Sequence, residues 1–553
     1  MSKNILMKFK KIFFLLALVL NFLILSAQQI IKEADYTLTY FPKSINIAFN
    51  SSAHVTAQDV FTKQTIAIIA NGTNGFNIEN YKPAQIIKMN YYLSTSKNVV
   101  NSFYIATPSA STGTMNVYFN HPVDVSYAQI QNAVNLSNTM DTKLITYINS
   151  CQSTLDIAIY SSYSASATTG IAGAINAAYT RGVQVRVIYD GTASNLISLL
   201  NTNIPRLPSP TTAAYTIMHN KFVIFDATNA DATKPFVWTG STNWTTSQIA
   251  GPDKNNVIVI QDQALAMGYK IEFEEMWGGS GPTPNLTNSK FGQYKTDNTP
   301  HHYIIGGKTV DSYFSPSDGT NAKIIAAINT ANTDLEVAAM DITRTDCSTA
   351  IKNRYQAGVT NCNVLVDVQN PSGNQITTLQ STLLPNHAVV YSGSGIMHHK
   401  FMVVDNYNST SDPLVLLGSH NWSTAAETKN DENTLIVHDL NIANQYYQAF
   451  AYLFQLAGGV ITTPLGVVKD NFDGEILVYP NPFNGYFNLS TKSYTPIENV
   501  EISVYDMLGK SIFKSNYNDF SQTTIDLTSQ ATGIYLLQVT SNRKSSNFKL
   551  IKE

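Results

Sequence analysis

Charged residues are few. Asp, Glu, Lys and Arg make up 13% of 553 positions, 35 basic residues nearly cancel 38 acidic ones, and the formal net charge is -3. Gripping nucleic acid through the whole surface requires a strong Lys/Arg field that displaces counterions, so the composition argues against that mode and leaves room for a local basic cleft. Cysteine is nearly absent. The three present, Cys151, Cys347 and Cys362, are an odd set, so at least one thiol has no intramolecular disulfide. The sequence pattern puts Cys347 at the start of a helix and Cys362 at the start of the following strand, roughly 15 Å apart and too far for a bridge. With 29 Gly, 20 Pro and 44% hydrophobic residues, the chain is not collagen-like, coiled-coil or disordered. Enough apolar residues are present to build packed cores in several domains.

Only one long apolar run occurs. Lys8, Lys10 and Lys11 precede an apolar stretch over 12–25 broken by Asn21, and Ser26-Ala27-Gln28 follows. The stretch is shorter than the ~20 residues of a spanning helix and ends in small residues suited to a signal peptidase. Residues 1–27 are therefore expected to be a secretory signal peptide, leaving an exported mature chain with no transmembrane segment. The other end, 472–553, holds Tyr479-Pro480-Asn481-Pro482-Phe483, an alternating run over 500–506, the turn Met507-Leu508-Gly509-Lys510, further runs over 525–527 and 533–539, and a basic tail over 549–552. Period-two strands between Gly, Asn and Pro turns predict a small all-β sandwich. The order of these pieces resembles the C-terminal sorting domain of the type IX secretion system of Bacteroidetes. That resemblance implies export by the type IX machinery, followed by release or attachment at the cell surface.

The middle of the chain is duplicated. Leu144-Ile145-Thr146-Tyr147-Ile148-Asn149 answers Ile324-Ile325-Ala326-Ala327-Ile328-Asn329, Ile217-Met218-His219 answers Ile396-Met397-His398, and Gly240-Ser241-Thr242-Asn243-Trp244 answers Gly418-Ser419-His420-Asn421-Trp422, at offsets between 176 and 180. Strands alternating with helical patterns predict an α/β unit, used once over 115–278 and again over 310–458. The Gly/Pro/Asn-rich stretch 279–309 reads as the linker, partly ordered through Phe291, Tyr294 and Tyr303. Short runs at Tyr36–Tyr40, 45–49, 65–70, Ile86–Leu93 and 103–106 predict an additional β domain over 28–110.

Each repeat carries His-x-Lys followed, after four residues, by Asp: His219, Lys221 and Asp226, then His398, Lys400 and Asp405. Composition alone predicts about 0.04 such matches, so two in register are a strong signal. On a strand, His and Lys share one face and Asp takes the other, so Asp is expected to brace the strand or its loop. Fourteen residues after Asp226 and thirteen after Asp405 come Gly240-Ser241-x-Asn243 and Gly418-Ser419-x-Asn421. The glycines are expected to let the backbone approach a bound group, to which Ser hydroxyls and Asn amides donate. Two imidazoles, two ammonium groups, two hydroxyls and two amides suit a phosphate ester. A metal site would need more converging His, Asp or Glu ligands, and His398 and His399 point to opposite faces of a strand, so no cofactor or metal is expected. Trp244 and Trp422 read as core residues.

These paired motifs resemble the phospholipase D superfamily of HKD phosphodiesterases over about 115–458. The resemblance implies an α/β fold of two sandwich repeats packed so that both motifs share one cleft, flanked here by an N-terminal β domain and a C-terminal β-sandwich. It also implies that Glu432, in Asn430-Asp431-Glu432-Asn433, hydrogen-bonds and orients an active-site histidine. The first repeat departs, with Asp253-Lys254-Asn255-Asn256, so the two histidines need not be held alike. One His is expected to attack phosphorus and the other to protonate the leaving alcohol, with Lys221, Lys400, Asn243 and Asn421 on the phosphate oxygens, supported by Ser241 and Ser419. The resemblance implies His219 as nucleophile and His398 as acid, the near-symmetry leaving the reverse open. The leading expectation is a secreted phospholipase D acting on a phospholipid headgroup ester. An extracellular nuclease with a nucleic acid substrate is the alternative, and a non-catalytic surface binding protein a third. Both half-sites lie in one chain, so a monomer is expected.

Overall fold

A computed structural model describes residues 29–93, 100–162, 167–212, 215–368, 372–461, 476–492, 496–506, 510–541 and 544–553. The expected signal peptide and the turn at Met507-Leu508-Gly509 lie outside the described residues.

The two repeats form matching eight-stranded mixed sheets. The first runs Val134–Asn135, Met115–Phe119, Asn256–Ile260, Phe236–Gly240, Lys221–Phe225, Thr154–Ile159, Gln184–Tyr189, Arg206–Pro208 across the sheet. The second runs His302–Ile305, Lys308–Ser315, Glu432–Val437, Leu414–Gly418, Lys400–Val404, Asp334–Ala339, Asn361–Asp367, Ala388–Tyr391. In both, the strand carrying the motif lysine pairs antiparallel with its neighbours. Runs such as Lys221–Phe225 and Lys400–Val404 are buried along their whole length rather than alternating, because both sheet faces are covered. Helices Met140–Ser150 and Thr320–Asn329 lie in the outer layers with separate cores around Ile157 and Val337.

Between the sheets lie two long helices, Gln263–Trp277 and Leu440–Leu456. Asp262 and Asp439 cap them, each carboxylate accepting a backbone N–H at 2.8 Å, from Leu265 and Ile442. One central core joins Phe222, Ile224 and Val237 of the first sheet to Phe401, Val403 and Val415 of the second, through Tyr269, Phe273, Tyr446 and Phe450 of these helices. The repeats are thus layers of one body, not beads. Trp244 and Trp422 are buried in the outer cores, as expected, and Cys151, Cys347 and Cys362 are buried free thiols.

The stretch 279–309 is more than a connection. His302–Ile305 forms an edge strand of the second sheet, Phe291 and Tyr303 are buried, and Tyr294 is exposed. The N-terminal region forms a five-stranded sheet and a four-stranded sheet. Gln29–Lys32, Ala53–Asp59 and Gly75–Glu79 join the strands read from sequence, and the run expected over 65–70 is split into Thr65–Ile66 and Ile69–Asn71. At the C-terminus a three-stranded and a four-stranded sheet enclose Phe487, Leu489, Ile502, Val504 and Leu537, and the basic tail lies in the strand Lys544–Lys552.

An acid–imidazole chain ties the N-terminal domain to the second sheet. His302 Nε2 lies 2.8 Å from Glu33 and its Nδ1 2.7 Å from Asp311. His438 continues the chain at 3.4 Å from Asp311 and 2.9 Å from Asp412. Burial opposes protonation of both rings, yet these carboxylates outweigh it, raising His302 and lifting His438 to about 10. A histidine raised in the fold adds stability that is complete below its unfolded pKa of about 6.5 and is lost as pH climbs through the folded value. The thermal midpoint is expected to fall between pH 6 and pH 10, and His302→Gln with His438→Gln to shrink that fall. An undiminished fall in the double variant would place the alkaline loss elsewhere.

Candidate active site

Each His-x-Lys motif enters its strand through a bridge to the opposite repeat: Met218 pairs with Asp431, and Met397 with Lys254. The His219 N–H donates to the Asp431 carbonyl and the His398 N–H to the Lys254 carbonyl, both at 2.9 Å. Behind them, Asp190 accepts from the Met218 N–H at 2.8 Å and Asp367 from the Met397 N–H at 2.7 Å. Backbone pairing between repeats therefore sets both imidazoles at one seam. The lysines follow on the same strands, Lys221 Nζ 2.6 Å from the His219 carbonyl and Lys400 Nζ 2.9 Å from the His398 carbonyl. Tyr160 flanks Lys221, its ring centroid 5.2 Å from Nζ, and Met340 flanks Lys400, its Sδ 3.9 Å away.

The two histidines are braced differently. His219 Nδ1 lies 2.9 and 2.8 Å from the oxygens of Glu432, which belongs to the other repeat. His398 Nδ1 lies 3.0 Å from Asn255 Oδ1 and 3.1 Å from the Ser241 carbonyl. Asn255 occupies the place in the first repeat that Glu432 takes in the second, so a neutral amide replaces a carboxylate. Both partners accept, which puts the Nδ1 proton on each ring and leaves Nε2 for chemistry.

The serines do not serve a bound group directly. Ser419 Oγ donates to Glu432 at 2.7 Å and Ser241 Oγ to Asn255 at 3.1 Å, while each accepts a backbone N–H from Asn433 or Asn256. They position the brace, correcting the expectation of hydroxyls aimed at phosphate. The glycines likewise make room for protein rather than ligand: a Cβ on Gly240 or Gly418 would stand 2.3 or 2.1 Å from the carbonyl oxygen of Asn256 or Asn433. Asn243 Oδ1 accepts from the Ser161 N–H at 3.3 Å, and Asn421 Oδ1 has no partner among the described residues.

Asp226 and Asp405 lie away from the seam. Each follows the far end of its strand, roughly 16 Å of extended chain from the lysine, with a left-handed backbone at φ 54° and 53°. Asp226 accepts from the N–H groups of Gln152, Ser153 and Thr154, and Asp405 from those of Asn332 and Thr333. They cap the loops entering the neighbouring strands and are not brought to the histidines.

Burial dominates the electrostatics. It pushes His219 down to about 4 against the pull of Glu432, and His398 well below its ordinary value with Lys400 and Lys221 adding to the effect. Burial also drives Lys221 far down and Lys400 to about 8, the latter opposed by Asp341. Glu432 is held low by His219 and Lys221 despite its burial. An entering anion would favour the protonated form of each of these buried groups.

Asn255 stands where the comparison of Asp253-Lys254-Asn255-Asn256 with Asn430-Asp431-Glu432-Asn433 puts it, opposite Glu432, and two other members escaped sequence reasoning. Lys295, buried in the expected linker, left no such signal: it pairs with Glu272 at 2.5 Å and with Asp431, the residue before Glu432, at 3.3 Å. Tyr215 also hydrogen-bonds Asp431. Among the described residues, the one grouping that could hold a metal is Asp297, His301 and Asp318, which lies outside this seam.

The family described as "Cardiolipin synthase, PLD-like domain" matches residues 144–277 and 324–454, and the "Secretion system C-terminal sorting domain" matches 477–553. The chain carries two phospholipase D-like domains over these residues and a C-terminal sorting domain. Its phospholipase D-like region is 42% identical over 90 residues to mitochondrial cardiolipin hydrolase of Xenopus tropicalis, covering 16% of this chain and 39% of that protein. A phospholipase D of Rickettsia prowazekii (strain Madrid E) is 24% identical over 170 residues, 30% of this chain and 78% of that protein. The chain thus spans well under half of the first relative's length. Among solved structures, Nuc from Salmonella typhimurium is similar at 21% identity and TM-score 0.23, over 30% of this chain and 93% of that one. Phosphatidylserine synthase of Haemophilus influenzae Rd KW20 is similar at 14% identity and TM-score 0.41, over 59% and 86%. The sorting domain marks a secreted or cell-surface protein of a Bacteroidetes-type bacterium. No described helix of these phospholipase D-like domains, or of the rest, is long and apolar enough to cross a membrane.

Asp226→Asn keeps a residue that tolerates the left-handed backbone, removes the charge and turns one accepting oxygen into a donor. It is expected to cost about 1–3 kcal/mol in a urea titration. Its kcat should fall less than about tenfold, against roughly 10³ or more for His219→Asn. A loss as deep as that of His219→Asn would return Asp226 to the chemistry.

Proposed function

We propose that the protein is a secreted phospholipase D-type phosphodiesterase that hydrolyses the headgroup-side ester of a phospholipid. The observation that supports it is the seam, where two buried lysines flank two imidazoles whose Nδ1 protons are both held by acceptors. The names of the relatives, phospholipase D and cardiolipin hydrolase, support a lipid over a nucleic acid.

In this reading His219 is the nucleophile, because a carboxylate behind Nδ1 best stabilises the positive charge an imidazole gains on attack. Its Nε2 pair attacks phosphorus, the P–O bond to the headgroup breaks, and the electron pair leaves on that oxygen. His398 donates its Nε2 proton to the departing alcohol. Water then enters, His398 removes its proton, the hydroxide attacks phosphorus and the P–N bond returns its pair to His219. Lys221 and Lys400, with Asn243 and Asn421, hold the non-bridging oxygens where charge concentrates in the transition state. The lysines supply the countercharge, so activity is expected to survive a chelator.

The full chain is to be assayed on ethanolamine, glycerol and choline phospholipids beside single- and double-stranded DNA, with chelator present. Lipid turnover with intact DNA is expected, and DNA cleavage with intact lipid would replace this reading by the nuclease one; the short motifs Met397-His398-His399-Lys400-Phe401 and Gly-Ser-x-Asn-Trp resemble the compact branch that holds both nucleases and cardiolipin hydrolases. His219→Asn and His398→Asn should each abolish turnover, and acid quenching should trap a phosphoryl group on wild type but not on His219→Asn. Since His219 must be unprotonated to attack, kcat/KM should rise as pH climbs through about 4. The kcat, which reports the substrate-bound enzyme, should fall on the alkaline side as His398, protonated beside the bound phosphate, loses its proton.

A further inference from the structure

The second repeat carries buried polar groups beside Lys400 that nothing among the described residues satisfies. Asp341 Oδ1, both ring nitrogens of His420 and Asn421 Oδ1 have no hydrogen-bond partner among the described residues. The nearest acid to His420 is Glu427, with Oε2 3.6 Å from Nε2, and that oxygen already accepts the Asn321 N–H at 2.8 Å. These orphans are neighbours. Ile342 bridges to Trp422, and the Thr343 N–H donates to the Trp422 carbonyl at 3.0 Å, which lays the segment after Asp341 beside the one after His420. Asp341 follows Met340, the residue against Lys400, and is 8% exposed, close to the 7% of His398.

The first repeat shows that the fold does not require such groups. Its counterparts are Ser161, Thr242 and Asn243. Thr242 Oγ1 donates to the Asn256 carbonyl at 3.0 Å, Ser161 Oγ to the Ser194 carbonyl at 3.4 Å, and Asn243 Oδ1 accepts from the Ser161 N–H at 3.3 Å. Buried polar atoms are nearly always paired, and leaving several unpaired at one place is costly. A bound group that supplies the missing partners resolves that cost.

We propose that Asp341, His420 and Asn421 line a headgroup subsite on the His398 side of the seam, selective for leaving alcohols that carry hydrogen-bond donors, a primary ammonium or further hydroxyls. A carboxylate oxygen and an amide oxygen only accept, and an imidazole accepts through one nitrogen, so the set is rich in acceptors. Ethanolamine and glycerol headgroups donate to it. Choline, whose quaternary nitrogen has no N–H, does not. The Met340 N–H donates to the His399 carbonyl at 2.8 Å, which sets Asp341 across from the backbone of His398, the acid in this reading. This rests on the phosphodiesterase reading of the seam.

The test separates binding from lipid cleavage. Glycerophosphoethanolamine, glycerophosphoglycerol and glycerophosphocholine are measured as competitive inhibitors of bis(4-nitrophenyl) phosphate hydrolysis by the full chain. The first two should bind about tenfold more tightly than the choline compound. Asp341→Asn, and His420→Thr, which installs the first repeat's residue, should bring the three inhibition constants to within about twofold of each other. Asp341 also faces Lys400, so the readout is the ratio between inhibitors, which a change in overall activity does not move. Equal constants in the wild type, or a ratio preserved in both variants, would overturn the subsite. Failure to cleave any lipid, with the ratio as expected, would overturn the phospholipase reading alone.

Discussion

Two short backbone bridges, Met218 with Asp431 and Met397 with Lys254, hold the site together. Each ties the entry of one repeat's histidine strand to the strand start that carries the other repeat's brace. A side chain on a strand is aimed only as well as its backbone is fixed, and at this seam the fixing comes from the opposite half of the molecule. The central core around the two long helices keeps the halves in register, so the placement of His219 relative to Glu432 depends on packing far from either residue.

From that constraint follows the division of labour within each motif. The histidine and lysine are at the seam, while the aspartate a strand's length away closes a loop with its carboxylate. The glycine and serine of Gly-Ser-x-Asn form a second layer, the glycine passing close to a neighbouring carbonyl and the serine steadying Glu432 or Asn255. Lys295 and Tyr215 add a further layer by holding Asp431 next to Glu432. The chain between the repeats is therefore part of the scaffold of the site.

Much of this was legible in the sequence, and the limits are physical. Duplication exposed the histidines, lysines and Gly-Ser-x-Asn turns because near-identical segments recur in register. Strand alternation already set Asp226 apart from His219 and Lys221. What the linear order could not give was pairing across the seam: Glu432 braces a histidine 213 residues away, a relation that exists only once two sheets have packed. The serines were misread for the same reason, since a hydroxyl's partner depends on the adjacent strand. The split of the run over 65–70 shows a local pattern yielding to the sheet it joins.

The replacement of Glu432 by Asn255 at the equivalent place carries a consequence for how the halves have diverged. Two identical half-sites meeting across a twofold axis would share one gene, and any change in one would appear in both. Fusion into a single polypeptide lifts that restriction, so one half can keep its acid while the other exchanges it for an amide. A symmetrical cavity would present the same groups in either direction. This one has a head and a tail, so on the phosphodiesterase reading the two alcohols of a diester meet different surroundings.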